Sequence, residues 1–454
     1  MATIVNLVDD ILCDIFSLTI QNTRVFPEIF KTGSDFQDCV SLINISRVCR
    51  RWREVALTDS SLWSSIYIHL DSPTARTLDK ATYFASICFT RSKDLSLICA
   101  ISISNLDHLR FASPLVQTLI SHEDRWSRIA INFTPSTRPF GSSKINIPES
   151  EDSDGEQDLL LRYAGSSHLK EFHSNLASWF TYSINSPLPA LSTLRMTCFI
   201  LVGCMDTLAN LLPFALNLQE LEVTLETTRF DADVVERNMQ VWMAAVQEAK
   251  VRPHFTLPAL QTLNIHAPLI PLFTCSALKI YVMQTISWRP SDLTNYLEFI
   301  ERSGLPPSFR TIEVRSTTSL WFNAPVRGYF LPTITNLLIT SPEKRFFTMF
   351  YERSREDGVV GFSVLPALKY LEITDCGDGH LPFFSSLITS RWDIGAPHRT
   401  LKSVRLNRCF TSSPVPELLL SPPSNGIDLT RVEENWREIA RCVNEGLSLF
   451  ACEL

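Results

Sequence analysis

Asp375, Asp378 and His380 lie close together, in a glycine-bearing turn that follows a strand-like run. Carboxylate and imidazole donors so close could hold a divalent cation. The same residue types also build turns, because Asp side chains bond the backbone ahead of them and Gly accepts unusual dihedrals. A turn is the expected role of these residues. His168 and His173 are five apart, with no glutamate in the metalloprotease position. There is no Cys-x-x-Cys pair, so the ligand spacing of a structural zinc site is missing. Cys49 stands among Arg47, Arg50, Arg51 and Arg53, which would favour a thiolate. It falls on the apolar side of its helical pattern, which makes packing the expected role. The sequence has no Gly-x-Ser-x-Gly elbow, no phosphate-cradling loop and no dinucleotide fingerprint. The expectation is a protein that is not an enzyme, with no catalytic residues, no metal and no cofactor. A hydrolase or metal enzyme on a leucine-rich α/β frame is the competing reading, and metal analysis with an activity screen separates the two.

The remaining chemistry is that of binding. In Ile45-Ser46-Arg47-Val48-Cys49-Arg50-Arg51-Trp52-Arg53-Glu54-Val55-Ala56, apolar residues at 45, 48, 49, 52, 55 and 56 recur at helical spacing. One helix face is therefore greasy and must be covered. Trp52 is an anchor of the kind common at interface hot spots. Upstream, Leu7, Ile11, Leu12, Ile15 and Phe16 share a second helical face. Asp9 and Asp10 fall in its first turn, where negative charge suits the helix dipole, and Asn6 is the expected N-cap.

These pieces together resemble the F-box, the helical motif that docks on the Skp-type adaptor of SCF ubiquitin ligases. The order of parts agrees: an opening similar to Leu-Pro-x-Glu-Ile-Leu, a second apolar helix, Val48-Cys49-Arg50-Arg51-Trp52, and a closing Leu62-Trp63. The run Val48 to Ala56 with Leu62-Trp63-Ser64-Ser65-Ile66 is most similar to the F-box proteins abundant in mushroom-forming fungi. The resemblance covers about the first seventy residues. Val8 stands where the motif has proline, so a residue suited to the first helical position is lost. Asp10 stands where it has glutamate and keeps the charge. Thr19 to Gln37 reads as an inserted loop, with Pro27 and Gly33 inside it. The resemblance implies adaptor contact through a set drawn from Leu7, Ile11, Leu12, Ile15, Phe16, Val48, Trp52 and Trp63. Some of these would face the adaptor and others would hold the helices together; sequence does not separate them.

At 454 residues the chain has room for more than this motif. A net charge of -7 offers no global attraction to nucleic acid or anionic membranes. No apolar run approaches the ~20 residues that span a bilayer, and the amino end lacks the basic region of a signal peptide. Twelve scattered cysteines suggest reduced thiols and a cytoplasmic or nuclear setting.

Strand-like phrases occur at Ile66–Leu70 and Leu95–Ile103, with a helical stretch at Thr74–Arg91 between them, and His122–Ile131 reads as a helix end leading into a strand. From there one phrase keeps returning: an apolar residue, two positions, a second, one position, a third. It begins at Leu169 (in part), Leu191, Leu218, Leu260, Phe309, Ile334, Leu368 and Leu401. Leu-Pro introduces four copies, at 188–189, 257–258, 331–332 and 365–366. The spacing varies from roughly twenty to roughly forty residues, a degenerate leucine-rich repeat. Asp233 to Val251 and Asp292 to Ser303 read as helical or irregular connections. The competing reading is a mixed α/β domain whose strands share a leucine phrase. Residues 149–158 are acidic and should be a solvated loop; Ser150 and Ser153 would suit an acid-directed kinase. Val432, Trp436, Ile439, Ala440, Val443 and Leu447 predict a helix over 431–449 that caps the last repeat.

The fold expected is α/β: a small three-helix F-box at 1–66, an irregular leucine-rich-repeat-like solenoid at 67–430, and a capping helix at 431–454. The resemblance implies a substrate receptor of a cullin–RING ligase, bound to a Skp-type adaptor and, through it, to cullin and RING subunits, with an unidentified target on the repeats. The alternative is an F-box scaffold acting outside ubiquitin ligation.

Overall fold

The computed structural model describes residues 7–21, 41–106, 112–135, 161–163, 166–175, 180–182, 187–198, 208–225, 255–285, 298–304, 308–316, 333–342, 344, 347–348, 353–356, 359–362, 365–393, 399–423 and 426–452. The expected N-cap Asn6, the acidic stretch 149–158, the connection 233–251 and most of the insertion at 19–37 lie outside them. The chain divides into two compact units, one formed by residues 1–218 and 222–245, the other by 219–221 and 246–454.

The first unit opens with helices α1 (Asp9–Gln21), α2 (Ser41–Val48) and α3 (Arg50–Thr58), followed by a single 3-10 turn at Ser60–Trp63. The helix expected across Ile45–Ala56 is two helices. Cys49 is extended (φ -155°, ψ 172°), and its sulfur accepts the backbone N–H of Trp52, so it caps α3. It is exposed, and the packing role expected for it gives way to that of a cap. Strand β1 (Ser65–Asp71) follows at once, then α4 (Ala75–Arg91), β2 (Leu97–Leu106), α5 (Ser113–Ile120) and β3 (Trp126–Pro135). Thr74 and Thr77 form a reciprocal capping box at the start of α4, which satisfies two otherwise orphaned backbone N–H groups. Strands β4 (Glu171–Ser174), β5 (Thr193–Cys198) and β6 (Glu220–Leu225) extend the ladder in chain order. The registered pairs β1–β2, β2–β3, β3–β4 and β4–β5 are all parallel. Parallel neighbours need a crossover. Helices α4 and α5 supply the first two, burying Leu78, Ala81, Phe84, Ala85 and Cys88 from one, and Leu115, Val116 and Leu119 from the other.

The second unit carries β7 (Thr262–His266), β8 (Ile280–Thr285), β9 (Thr311–Ser316), β10 (Asn336–Thr340), β11 (Tyr370–Thr374), helix α6 (Leu381–Trp392), β12 (Ser403–Asn407), helix α7 (Arg437–Asn444) and β13 (Ser448–Cys452). These strands lie in chain order and their registered pairings are parallel; a separate antiparallel pair joins Arg353–Glu356 to Val359–Phe362. Because side chains alternate across a strand, the register stacks the phrase residues into rows. Leu263, Tyr281, Ile312, Leu337, Leu371, Val404 and Leu449 form one buried row. The residue that opens each phrase is buried just ahead of its strand, as at Leu260, Leu278, Phe309, Ile334, Leu368 and Leu401.

The Leu-Pro pairs have a structural reason. Leu257 and Leu365 are buried, and the N–H of the leucine three residues on returns to their carbonyls, at 3.3 Å for Leu260 and 3.1 Å for Leu368. Proline fits such a turn because its φ is already set. Two strands of this ladder, β8 and β13, are not marked by the sequence phrase, nor are the short paired strands outside it, such as Arg353–Glu356 with Val359–Phe362. The helix expected over 431–449 is confined to Arg437–Asn444, and Ser448–Cys452 instead pairs in parallel with β12.

The turn at Asp375–His380 is held by its own side chains. Asp375 has φ 56° and pairs with Arg408 at 2.8 Å. Asp378 accepts the backbone N–H groups of Ser412 and Ser413 at 2.9 and 3.1 Å. His380 Nδ1 sits 3.1 Å from the Gly377 carbonyl. Among the described residues no cluster of three potential ligands is close enough to hold a metal ion, and no helix is long and apolar enough to cross a membrane.

Candidate docking surface

Helices α1 to α3 and the turn after them are held by buried side chains, among them Leu42 and Ile45 of α2 and Val55 and Ala56 of α3. Leu12 and Phe16 from α1, and Leu62 and Trp63 from the turn, are buried. Trp63 makes the tightest tie: its indole N–H donates to the Ala56 carbonyl at 2.6 Å, and the Arg91 guanidinium lies 4.3 Å over its ring. The same side chain thus fixes the end of α3 and joins it to α4. Trp52, half-buried, meets Phe16 edge-on with ring centroids 5.0 Å apart, an arrangement in which ring edge and ring face attract.

Polar contacts set the angle between the helices. Arg51 reaches across from α3 to Asp9, with Nη2 at 2.8 Å and Nε at 3.0 Å from one carboxylate oxygen, and its Nη2 also donates to the Leu7 carbonyl. Arg53 Nε donates to the Ser46 carbonyl at 3.0 Å and braces the break between α2 and α3. Arg50 only pairs with Glu54 on the exposed side. The arginine cluster is therefore part bracing and part solvated surface. Cys13 on α1 has its thiol raised to about 11 by burial, with a hydrogen bond to Asp59 and that carboxylate's charge adding to the effect. Asp59 also caps the following turn by accepting the Ser61 N–H.

With those side chains turned inward, the opposite face of α1 is bare. Val8 is 59% exposed, Ile11 44%, Ile15 39% and Leu18 56%; Val48 at the end of α2 is 60% exposed and Leu57 on α3 is 40% exposed. Of the eight residues singled out from sequence, Ile11, Ile15 and Val48 lie open, Leu12, Phe16 and Trp63 are interior, and Leu7 and Trp52 are intermediate. Val8, Leu18 and Leu57 were not foreseen. The sequence marks Val8 only as standing where the motif has proline. Leu18, seven beyond Ile11 and three beyond Ile15, continues their stripe at helical spacing and was legible.

Sequence comparison supplies the decisive match. The family model described as F-box-like aligns with residues 9–69. Residues 9–69 are an F-box-like domain. Domains of this kind bind Skp-type adaptors, so an adaptor-binding role follows for this stretch in general terms. The domain's bounds enclose α1 to α3, the Trp63 turn and most of β1, so its last strand is already the first strand of the parallel ladder. No curated protein matches the chain in sequence.

Proposed function

We propose that this protein is the substrate-recognition subunit of an SCF-type cullin–RING ubiquitin ligase. The observation that carries the reading is the set of exposed apolar side chains on the F-box-like domain: Ile11, Ile15 and Leu18 at helical spacing on α1 with Val8 just before it, Val48 at the end of α2 and Leu57 on α3. A surface of this kind loses free energy in water and regains it under a complementary helix. Leu12, Phe16 and Trp63 serve the contact indirectly, by holding α1 to α3 in place; Leu7 and Trp52 are half-buried, Trp52 against Phe16.

The ladders that follow act as a degenerate leucine-rich-repeat solenoid, and this array presents the target protein. Support comes from the stacked rows of phrase residues, each strand burying its leucines against the next, an arrangement in which stability arises between neighbours. The cullin and RING subunits join through the adaptor, and the chemistry of ubiquitin transfer is theirs. This chain contributes proximity, raising the effective concentration of target lysines near the charged ubiquitin enzyme. The setting is the cytoplasm, the nucleus or both, where such ligases work.

The test is affinity purification of the full chain from cells under proteasome inhibition, beside the Ile15→Asp and Val48→Asp variants. The reading expects adaptor, cullin and RING subunits with the parent chain and none with the variants. Adaptor without cullin would favour the scaffold reading. Neither adaptor nor cullin on the parent chain would reject both.

A further inference from the structure

Two thiols meet at the ends of adjacent strands in the second unit. Strands β11 and β12 pair in parallel with Thr374 opposite Asn407. Two residues past that pair, after Asp375 and Arg408 have both turned left-handed (φ 56° and 52°), stand Cys376 and Cys409. The backbone holds them there: Asp375 N–H donates to the Asn407 carbonyl at 3.0 Å, and Phe410 N–H donates to the Cys376 carbonyl at 2.8 Å. The Asp375–Arg408 ion pair clamps the intervening position. Adjacent parallel strands run about 4.8 Å apart, inside the Cα separation that a disulfide bridges. The Cys409 sulfur lies 3.4 Å from the Ile373 carbonyl and 3.3 Å from that of Asn407, over the end of β11.

We infer that Cys376 and Cys409 form a reversible, oxidant-driven cross-link between the last two strand ends before the C-terminal helix, with a hydroperoxide as the reacting partner. The inference does not depend on the ligase reading. The two thiols divide the labour. Cys409 is partly open to solvent and Cys376 is buried. The Cys376 thiol donates a hydrogen bond to the Cys409 sulfur and so holds Cys409 below the ordinary thiol range, against burial; the same bond, with burial, holds Cys376 above it. Burial and the Asp375 charge oppose ionisation, and the net direction at Cys409 is still downward. A lowered, reachable thiolate is the one that attacks peroxide.

The steps balance. The Cys409 thiolate attacks the outer oxygen of the hydroperoxide and breaks its O–O bond; the alkoxide or hydroxide that leaves takes a proton, and Cys409 becomes a sulfenic acid. The Cys376 sulfur then attacks the Cys409 sulfur, the S–O bond breaks, and the departing hydroxide leaves as water with the Cys376 proton. Two thiols have lost two electrons and two protons, and the hydroperoxide has been reduced to an alcohol, or to water, plus water. An external thiol reverses the reaction by exchange.

The experiment uses the full chain, titrated with hydrogen peroxide, quenched by alkylation and digested without reductant for mass mapping. The expected product is a peptide pair joined through Cys376 and Cys409, lighter by two hydrogens, which dithiothreitol separates. It should form at a peroxide dose that leaves Cys88, Cys99 and Cys275, all buried, still alkylatable after unfolding. In Cys376→Ser the link disappears and Cys409 is trapped by dimedone as the sulfenic acid. The proposal is overturned if both thiols of the parent chain remain alkylatable while exposed Cys49 and Cys452 are oxidised, or if Cys409 links to another cysteine instead. The alkylation map of the parent chain needs no variant, so a folding defect in the serine form does not protect the proposal.

Discussion

Ile15 and Phe16 are neighbours in α1 with opposite duties, and shortening each to alanine separates docking from folding. Phe16 is buried, and its ring meets Trp52. Truncating a buried phenylalanine costs about 3–5 kcal/mol in lost transfer energy and residual cavity, a large share of what holds a small helical element. Ile15 is 39% exposed. Fully burying an isoleucine is worth about 1.5–3 kcal/mol, so covering the exposed share supplies roughly 0.6–1.2 kcal/mol, or about three- to sevenfold in Kd. The share its own chain already covers is worth roughly 0.9–1.8 kcal/mol on the same scale, still below the cost at Phe16. Hydrogen exchange of α1 amides in the full chain reads local stability, because the chain has two units and one global unfolding value would blend them. Calorimetry with purified adaptor reads affinity. Phe16→Ala should expose the α1 amides to exchange and lose adaptor with them. Ile15→Ala should lose clearly less protection than Phe16→Ala and weaken Kd by the few-fold. Equal loss of protection in both variants, or unchanged affinity for Ile15→Ala, would refute the division of inward from outward residues.

Three further outcomes follow. Trp63→Phe leaves the buried Ala56 carbonyl without its donor, and an orphaned buried acceptor costs about 1–3 kcal/mol; urea unfolding followed at α3 should show the loss, and an unchanged midpoint would contradict the tie. Glu445 accepts hydrogen bonds from Trp392 Nε1 and from Arg399 and pairs with Arg441, which together hold its carboxyl below the usual range. The unfolded chain therefore protonates first: the stabilisation is full above the ordinary carboxylate range and is lost as the pH falls through the folded value. Trp392 fluorescence should report that acid loosening, and Glu445→Gln should weaken its pH dependence. His173 is held down to about 3 by burial, with the charges of Arg195 and Arg128 adding to it. Its imidazole should show no NMR titration between pH 8 and 4, whereas a midpoint near the ordinary histidine value would contradict its burial.

Much of the ladder was legible because each phrase encodes its strand twice, once through alternating apolar residues and once through the buried residue at the entering turn. Where one cue failed, the strand was missed. In β8 the central place is taken by Tyr281, and Leu278-Lys279-Ile280-Tyr281 does not read as the leucine phrase although Tyr281 is buried in the same row. In β13, Leu447 and Leu449 extend the periodicity of the preceding helix, so a turn at Glu445–Gly446, where Gly446 has φ 109°, was absorbed into it. The break at Cys49 was hidden for a related reason. Apolar spacing runs through it undisturbed, and cysteine is not among the usual N-cap residues. Within the docking domain, periodicity assigned residues to a face but did not say which face its own chain would cover. That depends on Trp63 and Phe16 meeting partners from other elements, Ala56 and Arg91 for one and Trp52 for the other, and no single-helix pattern contains it.

The exposed face of α1 and the end of α2 are the surface proposed for an adaptor to cover. Hydrogen exchange of the full chain with and without a purified Skp-type adaptor measures this directly. Slowed exchange confined to residues 8–18 and 47–57, with the strands from Thr262 onward unchanged, is the result predicted. Identical exchange in both samples at saturating adaptor, or protection that falls on the strands and leaves α1 untouched, would contradict it.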